Sequence, residues 1–214
     1  MSVNRRSSLA AIRRLSRPRA EPERCGLCGA ELRHDHAHLF ETSSRRLICA
    51  CGACTILFDN PAAARFHPVP KNVEFLPDFV LDDVQWQALQ LPVNLAFFVL
   101  SRKGEQVIAL YPSPAGVTEA SPPPEAWLAL VEDNPALRKL RPDVEALLVN
   151  RLGPVPEHYY VGVDKCYALA GLVRAHWQGF SGGTVVRAKI EEFFADLQEQ
   201  ARAKGPGIDA RSRF

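Results

Sequence analysis

The sequence lacks any hydrophobic run long enough to cross a membrane. A helix that spans a bilayer needs about 20 apolar residues, whereas the longest apolar run, at residues 93–100, is interrupted by Asn94. Residues 1–20 carry six arginines and no acidic residue, but no continuous apolar core follows them, as a secretory signal would require. We therefore expect a cytoplasmic protein without a membrane span, whose cysteines stay reduced.

The sequence also has no Walker A loop, no G-x-G-x-x-G turn and no H-E-x-x-H helix, which excludes several common enzyme classes. Cys166 shares the apolar face of a predicted helix with Leu169 and Val173, which indicates packing and not a nucleophile. If a pocket exists, Tyr111, Cys166 and His176 are the residues to inspect. No catalytic residue is predicted, and an enzyme function has no support from the sequence.

The chain as a whole is nearly neutral, but its positive and negative charges are unevenly distributed. The 214 residues hold 26 Lys and Arg against 24 Asp and Glu, a net charge of +2. Residues 1–24 hold seven arginines against two glutamates, a net of +5, so the remainder carries 19 basic and 22 acidic groups, a net of −3. Nucleic-acid-binding domains usually present a basic folded face. The charge of the folded part therefore argues against a nucleic-acid partner, and a zinc-ribbon regulator that binds nucleic acid is kept as an alternative.

Five of the six cysteines fall within residues 25–54. Cys25 and Cys28 form one C-x-x-C pair, Cys51 and Cys54 form a second, and residues 29–50 separate them. Each C-x-x-C turn aims two sulfurs at one point, and two such turns are typical of a tetrahedral four-thiolate site. We predict that these four cysteines hold one metal ion. Zinc is the default for a closed site of this kind, and iron in the same geometry would form a rubredoxin-like redox centre.

Other candidate ligands lie between and beside the two pairs. Cys49 could be an extra ligand, could replace Cys51, or could be a small buried residue at the end of a strand, the interpretation that we favour. His34, His36 and His38 alternate, so they would share one face of a strand. Together with Cys49 they could form a second or mixed metal site, although a polar hairpin face is the simpler interpretation.

The apolar periodicity predicts an α+β fold: a small N-terminal zinc-ribbon-like module, followed by an antiparallel sheet packed with three or four helices. We divide the chain into a disordered basic leader (1–20), a four-cysteine module (21–60), an α+β domain (61–203) and a frayed end (204–214). Strands are expected at 95–100, 106–111, 144–150 and 159–163, with a hairpin at Lys103-Gly104. Residues 111–116, rich in proline, are expected to form a rigid loop.

Helix starts are predicted from capping residues and proline. Asp82 or Asp83 should cap a short helix, and residues 122–124, all proline, should lead into a second. Asp164 and Thr184 are expected to cap the last two helices. The apolar stripe of the final helix should face the core; its members are Val186, Ile190, Phe193, Phe194, Leu197 and Ala201.

As a set, several short stretches resemble an uncharacterised bacterial family whose genes lie beside those of nickel–iron (NiFe) hydrogenases, especially in actinobacteria. The resemblance covers about residues 25–198. The stretches are CGLCG at 25–29, HAHL at 36–39, CACGAC at 49–54, LPDF at 76–79, YPSPAG at 111–116, ALLVNR at 146–151, CY at 166–167 and HWQGFSGG at 176–183.

The resemblance implies a metal-binding accessory or assembly protein that acts by contact with a hydrogenase subunit or maturation factor. Hydrogenase gene clusters of other bacteria also encode rubredoxin-like accessory proteins. An iron protein that passes electrons, or that protects maturation from oxygen, is therefore the alternative. Because the family has no established activity, the resemblance assigns no functional residue beyond the cysteines.

Overall fold

A computed structural model describes residues 22–58, 65–102, 106–179 and 182–203 of the chain. The predicted leader and the predicted frayed end therefore lie outside the described residues. Within the described residues, the fold is α+β, as the sequence predicts, and it contains five α-helices and two antiparallel sheets. No helix among these residues is both long and apolar enough to cross a membrane.

The smaller sheet has three strands in the order β2-β1-β3. Strand β1 (Ala37–Glu41) and strand β2 (Arg46–Ala50) form a hairpin, the short helix α1 (Gly52–Leu57) follows, and strand β3 (Phe66–Pro68) pairs with the other edge of β1. The sheet thus includes residues beyond 60, the predicted end of the four-cysteine module. The division of the chain into domains stays a prediction.

The larger sheet has six strands in the order β4-β9-β8-β5-β6-β7. Its central strands, β5 and β8, are almost entirely apolar because both of their faces are covered. Phe97 and Leu148 face one layer of helices, and Phe98 and Leu147 face the other. The strands are β4 (Val73–Phe75), β5 (Leu95–Ser101), β6 (Gln106–Ser113), β7 (Gly116–Ala120), β8 (Glu145–Asn150) and β9 (Glu157–Gly162).

Helices pack on both faces of this sheet. Helices α4 (Val163–His176) and α5 (Gly183–Ala203) cover the face that carries Phe97. Helix α2 (Asp83–Ala88), helix α3 (Pro124–Asp133) and a 3-10 helix (Pro135–Lys139) cover the opposite face. The predicted stripe of the final helix is confirmed: Val186, Phe194 and Leu197 are buried, while Ile190, Phe193 and Ala201 pack at its margin.

The predicted helix starts are right for two helices and wrong for two. Asp82 caps α2, since its Oδ1 accepts a hydrogen bond of 2.7 Å from the Gln85 N–H, and Pro124 begins α3. Asp164 does not cap α4, which begins at Val163 after an extended Gly162, so its carboxylate lies in the first turn. Helix α5 begins at Gly183, one residue before the predicted cap, Thr184.

The predicted loop at residues 111–116 is largely strand. Residues 111–113 continue β6 and pair with β7, a strand that the sequence did not indicate. Proline is tolerated in this strand because the pairing with β5 ends at Leu110, so Pro112 lies beyond that neighbour. Only Pro114 and Ala115 remain as the turn, and Gly116 closes it with a φ of 118°.

Candidate metal centre

Two short turns position the four cysteines of the C-x-x-C pairs. Cys25 and Cys28 lie on a turn closed by the Gly29 N–H, which donates to the Cys25 carbonyl at 2.9 Å, and Gly29 adopts a φ of 75° that favours glycine. Cys51 precedes the first residue of α1 and Cys54 lies in its first turn. The Gly26 N–H donates to the Cys49 carbonyl at 2.9 Å and fastens the first turn to strand β2.

The four sulfur atoms lie within 4.8 Å of one another. The Sγ atoms of Cys28 and Cys51 are 3.7 Å apart, far beyond a disulfide bond of about 2.05 Å. Two thiolates bound to one tetrahedral ion at about 2.3 Å would be separated by about 3.8 Å. All six cysteines of the chain are free thiols. The arrangement of these four sulfurs is therefore compatible with a single metal ion.

The four cysteines of the cluster differ in burial and in the hydrogen bonds to their sulfur atoms. Cys25 and Cys54 are buried, whereas Cys28 is exposed. Burial raises the pKa of the Cys25 thiol, but backbone N–H groups of Cys51, Cys28 and Leu27 outweigh it and lower the pKa to about 6. Burial, followed by the three neighbouring thiols, raises the pKa of Cys54 to about 12. Without a cation, the Cys25 thiolate is thus favoured and the Cys54 thiolate is disfavoured.

Cys49 belongs to a different cluster. The group of four sulfurs includes Cys51 and not Cys49, whose half-buried side chain lies on β2. Burial, followed by the negative charges of Glu23 and Cys25, raises the pKa of Cys49. Its sulfur lies within 4.8 Å of one ring nitrogen of His36 and one of His38, which also lie within 4.8 Å of each other.

The sequence predicts that the three histidines share one face of a strand, and this prediction is wrong. Only His38 lies on β1, where it is the register partner of Cys49; His34 and His36 come before the strand. His34 is exposed on the turn and does not join the cluster. The rings of His36 and His38 still meet edge to face, with their centroids 4.8 Å apart. Irregular backbone at His36, and not strand alternation, brings these two rings together.

Most of the chain, residues 24–201, matches the family of unknown function DUF5947. The protein belongs to this family. No curated protein and no solved structure matches the chain. The match confirms the resemblance to an uncharacterised family that includes the cysteine cluster, while the link to hydrogenases stays a prediction.

The other residues singled out in the DUF5947 chain do not meet at a pocket. Cys166 is fully buried in the core, where burial raises its pKa well above the usual value. His176 lies at the end of α4, 2.9 Å from the Leu172 carbonyl oxygen, and Tyr111 lies on β6. An open cleft of about 450 Å³ elsewhere is lined by Trp86, Asn94, Arg151 and their neighbours. None of Tyr111, Cys166 and His176 lines that cleft.

Residues 179–183 of the DUF5947 chain, GFSGG, match the G-x-S-x-G pattern of hydrolase nucleophile elbows. In hydrolases the serine of this pattern follows a strand and precedes a helix. Here Gly179 follows helix α4 and Gly183 begins helix α5, while Ser181 lies outside the described residues. The stretch therefore lacks the strand–turn–helix context that the chemistry requires.

Proposed function

We propose that this DUF5947 protein binds one zinc or iron ion through Cys25, Cys28, Cys51 and Cys54 and acts as an accessory or assembly protein by contacting another protein. The convergence of four sulfurs within 4.8 Å carries the metal-binding part of the proposal. Zinc is the first choice because a closed tetrathiolate site suits a structural ion that performs no chemistry itself. The ion would fix the two cysteine turns relative to each other.

The surface beside the cluster supports a role in protein contact. Helix α1, which begins at the second cysteine pair, exposes Ile56 and Leu57 to solvent at 80% and 71% of their surface. Two neighbouring apolar side chains exposed on one short helix are typical of an interaction surface. The metal would hold this helix in place for a partner.

The partner that we propose is a NiFe hydrogenase subunit or maturation factor, in a reducing, cytoplasmic compartment. Its support is the sequence resemblance described above, together with six cysteines that are free thiols in the structure.

A rubredoxin-like iron protein is the second candidate. Its support is the position of Cys28, an exposed residue that would bring one edge of an iron–thiolate centre close to the surface, where electrons could be exchanged. Backbone N–H groups directed at the Cys25 sulfur would also stabilise the reduced form.

Metal analysis and an absorption spectrum of aerobically purified protein test the metal and separate the candidates. Colourless protein with zinc supports the structural site, and red protein with thiolate-to-iron charge-transfer bands supports the redox protein. The double variant Cys25→Ser/Cys54→Ser should lose this ion, whereas Cys166→Ala, which removes a thiol from the core, should keep it. Equal metal content in wild type and double variant would refute the four-cysteine site.

Affinity purification from hydrogenase-expressing cells tests the partner. Wild-type protein should retain a hydrogenase subunit or maturation factor, and the surface variant Ile56→Glu/Leu57→Glu should lose it while keeping its metal. Normal hydrogenase maturation in a strain that lacks this gene would refute the accessory role.

A further inference from the structure

We infer that His36, His38 and Cys49 form a second metal site, separate from the four-cysteine cluster, with one coordination position left open. The inference goes beyond the proposed function and needs no particular partner. Three ligand atoms of these residues already lie within 4.8 Å of one another. The surroundings of each ligand favour a cation.

His36 leaves a buried ring nitrogen without a partner. Its Nδ1 lies 2.9 Å from the Arg33 carbonyl oxygen, which can only accept, so Nδ1 carries the proton. Nε2 is then a lone-pair acceptor, and it is buried without a hydrogen-bond partner among the described residues. Only 9% of the side chain is exposed. A buried acceptor without a partner is costly, and a metal ion would satisfy it.

His38 has an outer partner, a group that hydrogen-bonds the ring nitrogen not used for the metal, as metal-binding histidines usually have. Its Nδ1 lies 3.0 Å from Oδ2 of Asp164, a carboxylate in the first turn of α4. The carboxylate accepts a hydrogen bond from the Nδ1–H group, so Nε2 carries the lone pair that can bind a cation. A carboxylate that orients a histidine in this way fixes the ring and strengthens it as a ligand. The other carboxylate oxygen of Asp164, Oδ1, accepts a hydrogen bond of 2.9 Å from the Lys165 N–H, which fixes the carboxylate in place.

Cys49 is held next to His38 by the hairpin itself. The two residues are register partners on β1 and β2, so their side chains leave the sheet on the same face. The cysteine is a free thiol that the four-sulfur group does not use. A soft sulfur beside two imidazole nitrogens forms a donor set that prefers a borderline divalent ion such as Zn²⁺ or Co²⁺ over Mg²⁺ or Ca²⁺.

Three protein ligands leave the fourth position of a tetrahedral ion open for water or another small ligand. Zinc sites with three protein ligands are typical of catalytic centres, whereas closed four-ligand sites are structural. The two clusters would thus place one ion with four protein ligands and one ion with three protein ligands in the same segment of the chain. A polar network of two histidines and a thiol is the competing explanation, and it predicts no second ion.

A Co²⁺ titration of protein that has first received one equivalent of Zn²⁺ tests the inference. Wild-type protein should bind a further equivalent of Co²⁺ with the visible spectrum of a tetrahedral ion that has one thiolate ligand. Cys49→Ser and His36→Gln should each weaken this binding at least tenfold. Asp164→Asn, which removes only the outer partner of His38, should weaken it by about 10- to 100-fold and keep the stoichiometry.

The matched control is His34→Gln, because His34 is an exposed histidine of the same turn that lies outside the cluster. This variant should bind the second ion like wild type. Far-UV circular dichroism of each zinc-loaded variant should match wild type, so that lost binding reports the site and not the fold. Wild-type protein that takes up no second equivalent, or a Cys49→Ser variant that binds it with unchanged affinity, would overturn the inference.

Discussion

The two sheets of this protein are both antiparallel, but different interactions hold them in place. Two clusters of nineteen and fourteen buried residues lie on the two faces of the six-stranded sheet, and the first also includes Phe40 of β1. Four buried residues form the cluster of the three-stranded sheet, and two of them, Cys25 and Cys54, are thiols of the proposed metal site. Units with so little apolar core usually need a metal or disulfides. We therefore expect the larger sheet to be stable through burial and the cysteine turns of the smaller one to depend on the proposed ion.

Removal of the metal should have the largest effect, and it should affect the smaller sheet and not the larger one. We expect a chelator, or Cys25→Ser/Cys54→Ser, to unfold residues around the cysteine turns and α1 while β5 and β8 stay folded. Structural zinc in zinc-finger peptides contributes about 10 to 16 kcal/mol of apparent binding free energy, whereas only four buried residues form the apolar cluster around the cysteine turns. Amide hydrogen exchange measures this effect strand by strand. Unchanged protection of α1 after metal removal would show that packing alone holds the smaller sheet.

Leu148→Ala should weaken the larger sheet without affecting the metal. Leu148 is fully buried in the central strand β8, and a leucine-to-alanine change in such a core costs about 2 to 5 kcal/mol. Urea unfolding monitored by tryptophan fluorescence measures the loss. The control is Leu128→Ala, a leucine of α3 that is 60% exposed, which should change the free energy of unfolding by less than about 0.5 kcal/mol. Similar losses for the two variants would contradict the prediction.

Gly162→Ala tests the junction between the two regions. Gly162 ends β9, and a Cβ atom there would lie 2.2 Å from the carbonyl oxygen of Pro70, on the segment that joins the two sheets. Relief of such a clash requires a backbone shift, at a cost of about 1 to 3 kcal/mol. Gly171→Ala is the control, since α4 leaves open space there and alanine favours a helix by about 1 kcal/mol. Thermal denaturation should show opposite shifts in the two variants; a neutral Gly162→Ala would refute the close contact.

The smallest effect concerns the acid sensitivity of the larger sheet. Burial, and then the positive charge of Arg151, lower the pKa of His158 from 6.5 to about 4. The folded protein therefore keeps His158 neutral, and its contribution to stability is lost as the pH falls from 6.5 to about 4. His158→Gln should flatten the fall in the free energy of unfolding over this range. An equally steep fall in wild type and variant would exclude His158 as a cause.

The elements that depend only on residues close together in the chain could be predicted from the sequence. The two C-x-x-C turns are self-contained, and β5 and β8 are long apolar runs, so both could be predicted without knowledge of the tertiary fold. Strands β3 and β7 are short or polar and exist because a neighbouring strand pairs with them. The contact between His38 and Asp164 joins residues 126 positions apart, and no spacing rule indicates it. Helix capping was therefore the natural, and wrong, interpretation of Asp164.

The uneven exposure of the four cysteines has a consequence for the lifetime of any ion that they hold. Cys25 and Cys54 are shielded, and Cys28 faces solvent. Oxidants, alkylating reagents and competing chelators would then reach the ion through Cys28 first, so dissociation would proceed in a fixed order that starts at this residue. A protein that covered Cys28 would then lengthen the residence time of an ion held by these four cysteines.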